Sequence, residues 1–397
     1  MRALSSYFFT YFAFIGAISP YFALWLQSQG FSASDIGVLL AIPPAMRLVG
    51  PTSWGRLADR TGTRVKWLRL MAHASVLGLG VVALAVIFES HTVKLWLAAL
   101  GLVLLHAMLS GQVPLTESLL LQKISPHYKR YGRVRLFGSL GFVVAVVLLG
   151  LVLDWLGIQW LLALAAGLLL VHMVGSWCLQ DLPKLVQDTS NDKQNLWALV
   201  HLPHVPLFLV ASFLMVFGHM AMYIYFSLYL EAVGYSKTLI GILWAISAVG
   251  EMVYFWWQPR FKSSPVTGYT RSYWIAVLRF VGFAWVAIPL GSPLWLLLVL
   301  QLLHTATFAV HHATSMALPK TLFPASAGST ANALFNTVSY GLAGSVGALA
   351  CAWVWQSFGT HTLQAAQAVF TLSAISCLLG GVLAWRLRAD MRLAELS

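Results

Sequence analysis

Residues 114–142 read PLTESLLLQKISPHYKRYGRVRLFGSLGF. They end one long apolar run, cross a basic connector and begin another, leaving Glu117 and Arg135 just inside the two runs. A lone ionisable group inside a bilayer costs a few kcal/mol on insertion scales, so it is normally set against a partner or a water-filled cavity. The pair is therefore a functional-site candidate by default, and the rest of the chain has to account for it.

Composition supplies the setting. Of 397 residues, 59% are hydrophobic and only 9% charged, with a mean hydropathy of +0.79. No soluble core hides that much apolar surface, so the chain belongs in a membrane. Runs long enough to cross roughly 30 Å of hydrocarbon as helix fall near 5–27, 35–54, 66–88, 94–121, 134–154, 158–179, 205–230, 237–257, 271–290, 294–317, 327–352 and 363–385. The expected fold is all-α and membrane-integral: twelve transmembrane helices in two six-helix halves, residues 1–180 and 205–397. Residues 181–204, with Pro183, Asp188, Ser190, Asn191, Asp192 and Pro203, read as a solvated cytoplasmic linker. Halves of this kind are expected to be related by an axis along the membrane normal, with the site between them at mid-depth.

The first run lacks a strong basic leader and a small-residue cleavage site, and reads as a span, not a signal peptide. Cys178, Cys351 and Cys377 all fall within spans, too far apart for a metal motif, and read as core filler without a disulfide framework.

The net charge of +12 invites a nucleic-acid reading, which its placement excludes. Lys and Arg gather on alternate sides of the runs: Arg2 before the first run; Arg56, Arg60, Arg64, Lys66 and Arg69; Lys123, Lys129, Arg130 and Arg133; Lys184 and Lys193; Arg260, Lys262 and Arg271; Lys320; and Arg386, Arg388 and Arg392 beyond the last run. The opposite connectors hold only Lys94 and Lys237. By the positive-inside rule the rich side is cytoplasmic, which puts both termini inside a bacterial-type inner membrane. Arg47, Arg135 and Arg279 are drawn into spans.

Between the second and third runs stands Gly55-Arg56-Leu57-Ala58-Asp59-Arg60-Thr61-Gly62-Thr63-Arg64. Its two glycines permit a tight inward turn, and Asp59 is suited to capping a helix start or pairing with arginines. Glycines recur at close-packing spacing at Gly138 and Gly141, and at Gly341, Gly344 and Gly347. Pro43 and Pro44 precede Arg47 and admit either a broken second helix or an inert kink.

Two acidic residues stand within the hydrophobic spans, Glu117 in the fourth and Glu251 in the eighth. Each lies about six residues, near 9 Å of helix, from a cytoplasmic end. Burial favours the neutral acid and a neighbouring arginine favours the carboxylate, so a group poised between them can take up or release a proton. Arg279 is mid-span in the ninth. In the tenth, His304 and His311 are seven residues apart, which puts them on one helix face, with His312 about 100° round. Imidazole titrates near physiological pH and suits a proton relay beside a carboxylate. His73, His106, His172 and His219 read as hydrogen-bonded core residues. The sequence has no metal-ligand spacing, P-loop, nucleophile elbow or dinucleotide fingerprint, so neither an enzyme nor ATP-driven transport has support and no cofactor is expected.

These residues resemble a family. The loop from Gly55 to Arg64 resembles the signature loop of the major facilitator superfamily, which implies a gating role for Gly55, Asp59, Arg60, Gly62 and Arg64. Glu117 and Arg135, eighteen residues apart and followed by Gly138, resemble the fourth and fifth helices of the lactose-permease-like proton symporters. Gly250-Glu251, Leu278-Arg279-Phe280 and Leu302-Leu303-His304 are similar to their eighth, ninth and tenth. Where that family stacks a tryptophan on the sugar this chain has Phe142, an amide gives way to Tyr254, and the proton-bearing carboxylate corresponds to Thr307. The segments Pro114–Glu117, Tyr131–Ser139, Ala232–Trp244 and Leu303–Phe308 look more like the branch assigned to 3-phenylpropionate transport.

The resemblance implies a symporter of a small organic solute and protons, monomeric as is usual in the superfamily. Arg135, Glu117, Phe142, Arg279 and Tyr254 would contact the substrate, and Glu251, His304 and His311 would carry the proton. An oligosaccharide or nucleoside symporter and an efflux antiporter are the alternatives.

Overall fold

The computed structural model describes residues 1–125, 131–182, 196–258, 264–359 and 361–396. Among these residues every regular element is helical. Ten helices are long and apolar enough to cross a membrane, and a bent pair, Arg2–Ile18 (α1) with Phe22–Ser28 (α2), makes an eleventh span. The remaining expected run is a helix at Pro265–Val281 that continues π-helically through Gly282–Ala287. Large apolar side chains such as Leu77, Ile87, Trp96, Trp155, Trp353 and Trp385 stand exposed. Only lipid makes such a surface tolerable.

The chain forms two compact units, Met1–Gln187 with Gly234–Ala245, and Asp188–Val233 with Ile246–Ser397. Residues 183–195 of the expected linker lie outside the described residues, as do Lys129, Arg130, Arg260 and Lys262.

The first unit holds α1, α2, Ala33–Thr61 (α3), Arg64–Ala85 (α4), His91–Ile124 (α5), Tyr131–Leu156 (α6) and Leu161–Gly175 (α7). Here α1 packs on α6 and α7, while α5 packs on α3 and α4. Glycine lets α1 and α6 approach closely: a Cβ on Gly141 would strike the Phe9 carbonyl, and one on Gly16 would meet the Phe142 carbonyl at 2.6 Å. Ser32 and Asp35 form a capping box that starts α3. The second span is not broken. Despite Pro43, Pro44 and Pro51, α3 runs unbroken for 29 residues, and the break falls in the first span, where α1 and α2 meet at 42° beside Pro20. Neighbouring helices can satisfy the carbonyls that these prolines free.

Two acids at the ends of the expected runs escaped the sequence reading. Asp35 serves the capping box, and Asp154 accepts hydrogen bonds from the Lys237 and Thr238 amides at 2.7 and 2.9 Å and from the Thr238 hydroxyl at 2.6 Å. Asp154 thereby caps Lys237–Trp257 (α10), whose first part, to Ala245, belongs to the first unit. The Tyr21 hydroxyl donates to the Val146 carbonyl at 2.6 Å, with the Lys237 carbonyl 3.1 Å away.

The second unit begins with a short helix, Leu196–Val200 (α8), then Val205–Ala232 (α9) and the later part of α10. Pro265–Val281 is α11, followed by Leu294–Leu302 (α12), His311–Ala317 (α13), Pro319–Leu322 (α14), Gly328–Asn336 (α15), Ala343–Gln356 (α16) and Thr362–Leu396 (α17). Here α17 packs on α9 and α11, and α16 on α9. Three π-helical segments interrupt these helices: Gly282–Ala287, Thr305–Val310 and Thr337–Leu342. The first two follow Arg279 and His304, candidate-site residues, consistent with the frequency of π-turns at functional positions.

Candidate functional site

In the first unit α5 and α6 bring Glu117 and Arg135 together. Arg135 Nε lies 3.4 Å from Glu117 Oε1, with both side chains 31% exposed. Tyr131, one helical turn before Arg135, donates its hydroxyl to the same oxygen at 2.9 Å. The guanidinium lies 4.3 Å from the centre of the Phe12 ring and 5.7 Å from that of Phe8. A Cβ on Gly138 would meet Phe12 at 2.7 Å and Arg135 at 2.8 Å, so the glycine makes room for the cation on its aromatic bed. This is a half-open charged pair held from three sides, able to meet an anion with guanidinium nitrogens that Glu117 does not occupy. Phe142 is half-buried farther along α6.

Arg47, mid-span in α3, lies within electrostatic reach of Tyr11 and His106. A buried network missed by sequence reading runs beneath. The Tyr7 hydroxyl donates to Gln112 Oε1 at 2.8 Å, His172 Nε2 lies 2.7 Å from that oxygen, and Gln112 Nε2 donates to Ser75 at 3.2 Å. Thr10 completes it at 2.9 Å from His172 Nδ1. Only His172 carried a signal in the sequence, as a hydrogen-bonded core residue, and it sits as one.

The loop between α3 and α4 pairs Arg64 with Asp59 at 3.3 Å and with Gln122 at 3.0 Å. Gly62 makes the turn at φ 70°, where a side chain would be strained. Gly55 is not a turn residue: it lies inside α3, with open space where a Cβ would stand. Asp59 lies in the last turn of α3, and the Val65 amide in the first turn of α4 is instead satisfied by Asp181 at 2.8 Å. Arg60 is exposed in the last turn of α3.

In the second unit α10 and the start of the π-turn in the tenth span bring Glu251 Oε1 to 3.3 Å from His304 Nε2. The approach depends on Gly250, whose Cβ would collide with the Thr305 hydroxyl. Arg279 is wholly buried. Its Nε donates to the Leu300 carbonyl at 2.9 Å and one terminal nitrogen to Gln301 Oε1 at 2.7 Å, leaving the other terminal nitrogen without a hydrogen-bond partner. Gln301 is a site neighbour that sequence reading missed. Its signal was an amide inside an otherwise apolar run, LWLLLVLQLLH. His219 spans the Met215 carbonyl at 2.8 Å and the Thr307 hydroxyl at 3.2 Å. Tyr254 stands half-buried one turn beyond Glu251, its ring 5.5 Å from that of Phe255.

His304 and His311 do not share a face. His304 stacks on Phe308 at 5.3 Å and 12°, whereas His311 stacks on Tyr269 at 5.0 Å and lies 3.2 Å from the Ser272 hydroxyl. The seven-residue rule assumes an uninterrupted α-helix, and the π-helical Thr305–Val310 between the two histidines changes the phase. Among the described residues no group of three His, Cys, Asp or Glu is placed to hold a metal ion.

The model of the MFS_1 like family matches residues 1–366. A maltose permease of Geobacillus stearothermophilus is 28% identical over 95% of this chain and 91% of its own length. A probable 3-phenylpropionic acid transporter of Escherichia coli is 29% identical over 79% of this chain and 81% of its own. Among solved structures, a nucleoside transporter, NupG, superposes with a TM-score of 0.79 at 16% identity over 98% of both chains. A D-xylose-proton symporter does so at 0.72 and 13% identity, over 97% of this chain and 96% of its own.

Proposed function

Because the chain belongs to the MFS_1 like family, and is thus a multi-pass membrane transporter and not an enzyme, we propose that it is a proton-coupled symporter importing a small aromatic carboxylate by alternating access. The observation that carries this reading is the Glu251–His304 pair at 3.3 Å inside a span, which sets a carboxyl and an imidazole within proton-transfer reach. Beside it Arg279 answers no acid directly, its bonds going to a carbonyl and an amide. In the reading, Arg135 and Arg279 recognise the carboxylate, and Phe142 and Tyr254 wall the ring. Glu117 orients Arg135, and Glu251 with His304 carries the proton. The pair of Asp59, exposed, and Arg64, largely covered, turned at Gly62, belongs to gating. The protein works as a monomer in the inner membrane with both termini cytoplasmic.

The departures at Phe142 and Tyr254, together with the likeness to the probable 3-phenylpropionic acid transporter, support the aromatic acid. A sugar substrate is the second reading, favoured by the maltose permease's coverage of nearly the whole chain. Uptake of labelled 3-phenylpropionate into energised vesicles, with and without a collapsed pH gradient, tests the proposal. Accumulation that survives the collapse sinks the coupling. Competition by maltose but not by phenylpropionate turns the reading to sugar.

A further inference from the structure

The tenth span carries imidazoles at 304, 311 and 312, and the fold decides which of the later two joins Glu251. The rings of His304, Phe308 and His312 stack in one column, at 5.3 Å and 12°, then 6.3 Å and 9°. In an unbroken α-helix residue 312 would stand about 80° from the face of residue 304. The π-helical Thr305–Val310 takes up an extra residue per turn, and so carries His312 round to that face while turning His311 toward α11. Glu251 has His304 Nε2 at 3.3 Å, and His312 and Arg279 both within electrostatic reach. His312 Nδ1 in turn lies 2.7 Å from the Tyr340 hydroxyl, in another π-helical segment, Thr337–Leu342.

We propose that Glu251 exchanges its proton with His312 as well as with His304, and that Tyr340 is the positioning residue that fixes the His312 ring. This deepens the symport reading and rests on its choice of Glu251. In the step, the Nε2–H bond of a His312 imidazolium breaks and an O–H bond forms on the Glu251 carboxylate. One positive and one negative charge become a neutral imidazole and a neutral acid. The Nδ1–H that remains donates to the Tyr340 oxygen, which holds the ring in the tautomer that exchanges through Nε2. The other groups around the site have their own engagements. Arg279, from α11, donates to Leu300 and Gln301, and His219, from α9, spans Met215 and Thr307. Tyr223, also from α9, is an electrostatic neighbour of Arg279. His311 faces Tyr269, Tyr273 and Ser272.

The test is solid-state NMR of the full chain, labelled with nitrogen-15 histidine and reconstituted in lipid vesicles, titrated with each signal identified by its His→Gln variant. Glu251→Gln is expected to move the titrations of His304 and His312 by on the order of one pH unit and to leave His311 in place. Tyr340→Phe, which keeps the ring, is expected to move His312 alone. A His312 titration indifferent to Glu251→Gln, or a His311 titration that moves instead, overturns the proposal. This readout does not need transport. Uptake insensitive to a pH gradient alongside the expected shifts would fail the symport reading and still support the shared proton.

Discussion

Arg135 and Arg279 show how differently two arginines are kept inside spans. Arg135 is half-open, paired with Glu117 and laid on Phe12, while Arg279 is wholly buried and held by a carbonyl and an amide. The first is arranged to meet an anion, because its planar fork and its aromatic bed leave edge nitrogens available. Arg135→Lys keeps the charge and loses both fork and stacking. It should weaken an aromatic carboxylate about tenfold, a loss of roughly 1–2 kcal/mol, while a neutral solute's uptake stays within a factor of about two. Apparent affinities in a counterflow assay check this. Glu251→Gln removes the titratable oxygen and keeps the shape. In the proposed scheme each substrate enters with a proton, so accumulation by the native chain should fall as external pH rises and the inward proton gradient shrinks. The variant's response should be flat.

At the scale of elements, the decisive contacts are glycine approaches, caps and π-turns. Gly141 sits against the backbone of Phe9, which cannot rotate away as a side chain can. Gly141→Val should therefore cost about 1–3 kcal/mol of stability by overpacking, read as a lower melting temperature in detergent. A valine at Gly55, where nothing is near, should not reproduce the effect. Asp154→Ala removes three hydrogen bonds from the start of α10 and should cost about 1–2 kcal/mol, while Asp154→Asn should recover part of it. The small residues at Gly138 and Gly141 were legible as packing from their spacing alone. The π-turns were not, since the i→i+5 pattern leaves no mark in the hydrophobic period, and that silence placed His311 on the wrong face.

For the whole molecule, the orientation proposed from charge asymmetry is open to a direct check. Cys351 and Cys377 are buried as core filler, but Cys178, read from the sequence in the same way, is exposed because it ends the sixth span in a short turn at Ser176–Cys178. A membrane-impermeant maleimide should therefore label Cys178 alone, in inside-out vesicles and not in right-side-out ones. Labelling from the outer side would reverse the assigned topology. The sequence by itself determined the membrane setting, the helical class and the run of spans, because a bilayer without water forces every backbone group into local hydrogen bonds and long apolar runs can answer only as helices. It also singled out Glu117, Arg135, Glu251 and Arg279, because charge in such runs is too expensive to be incidental, and His304 through the family resemblance. Only the tertiary structure decided that the first span is the bent one, that Gln301 and a carbonyl hold Arg279, that Asp154 caps α10, and that His312 rather than His311 stacks in line with His304. Those outcomes depend on helix phase and on contacts between residues distant in the chain, and neither is encoded in local periodicity.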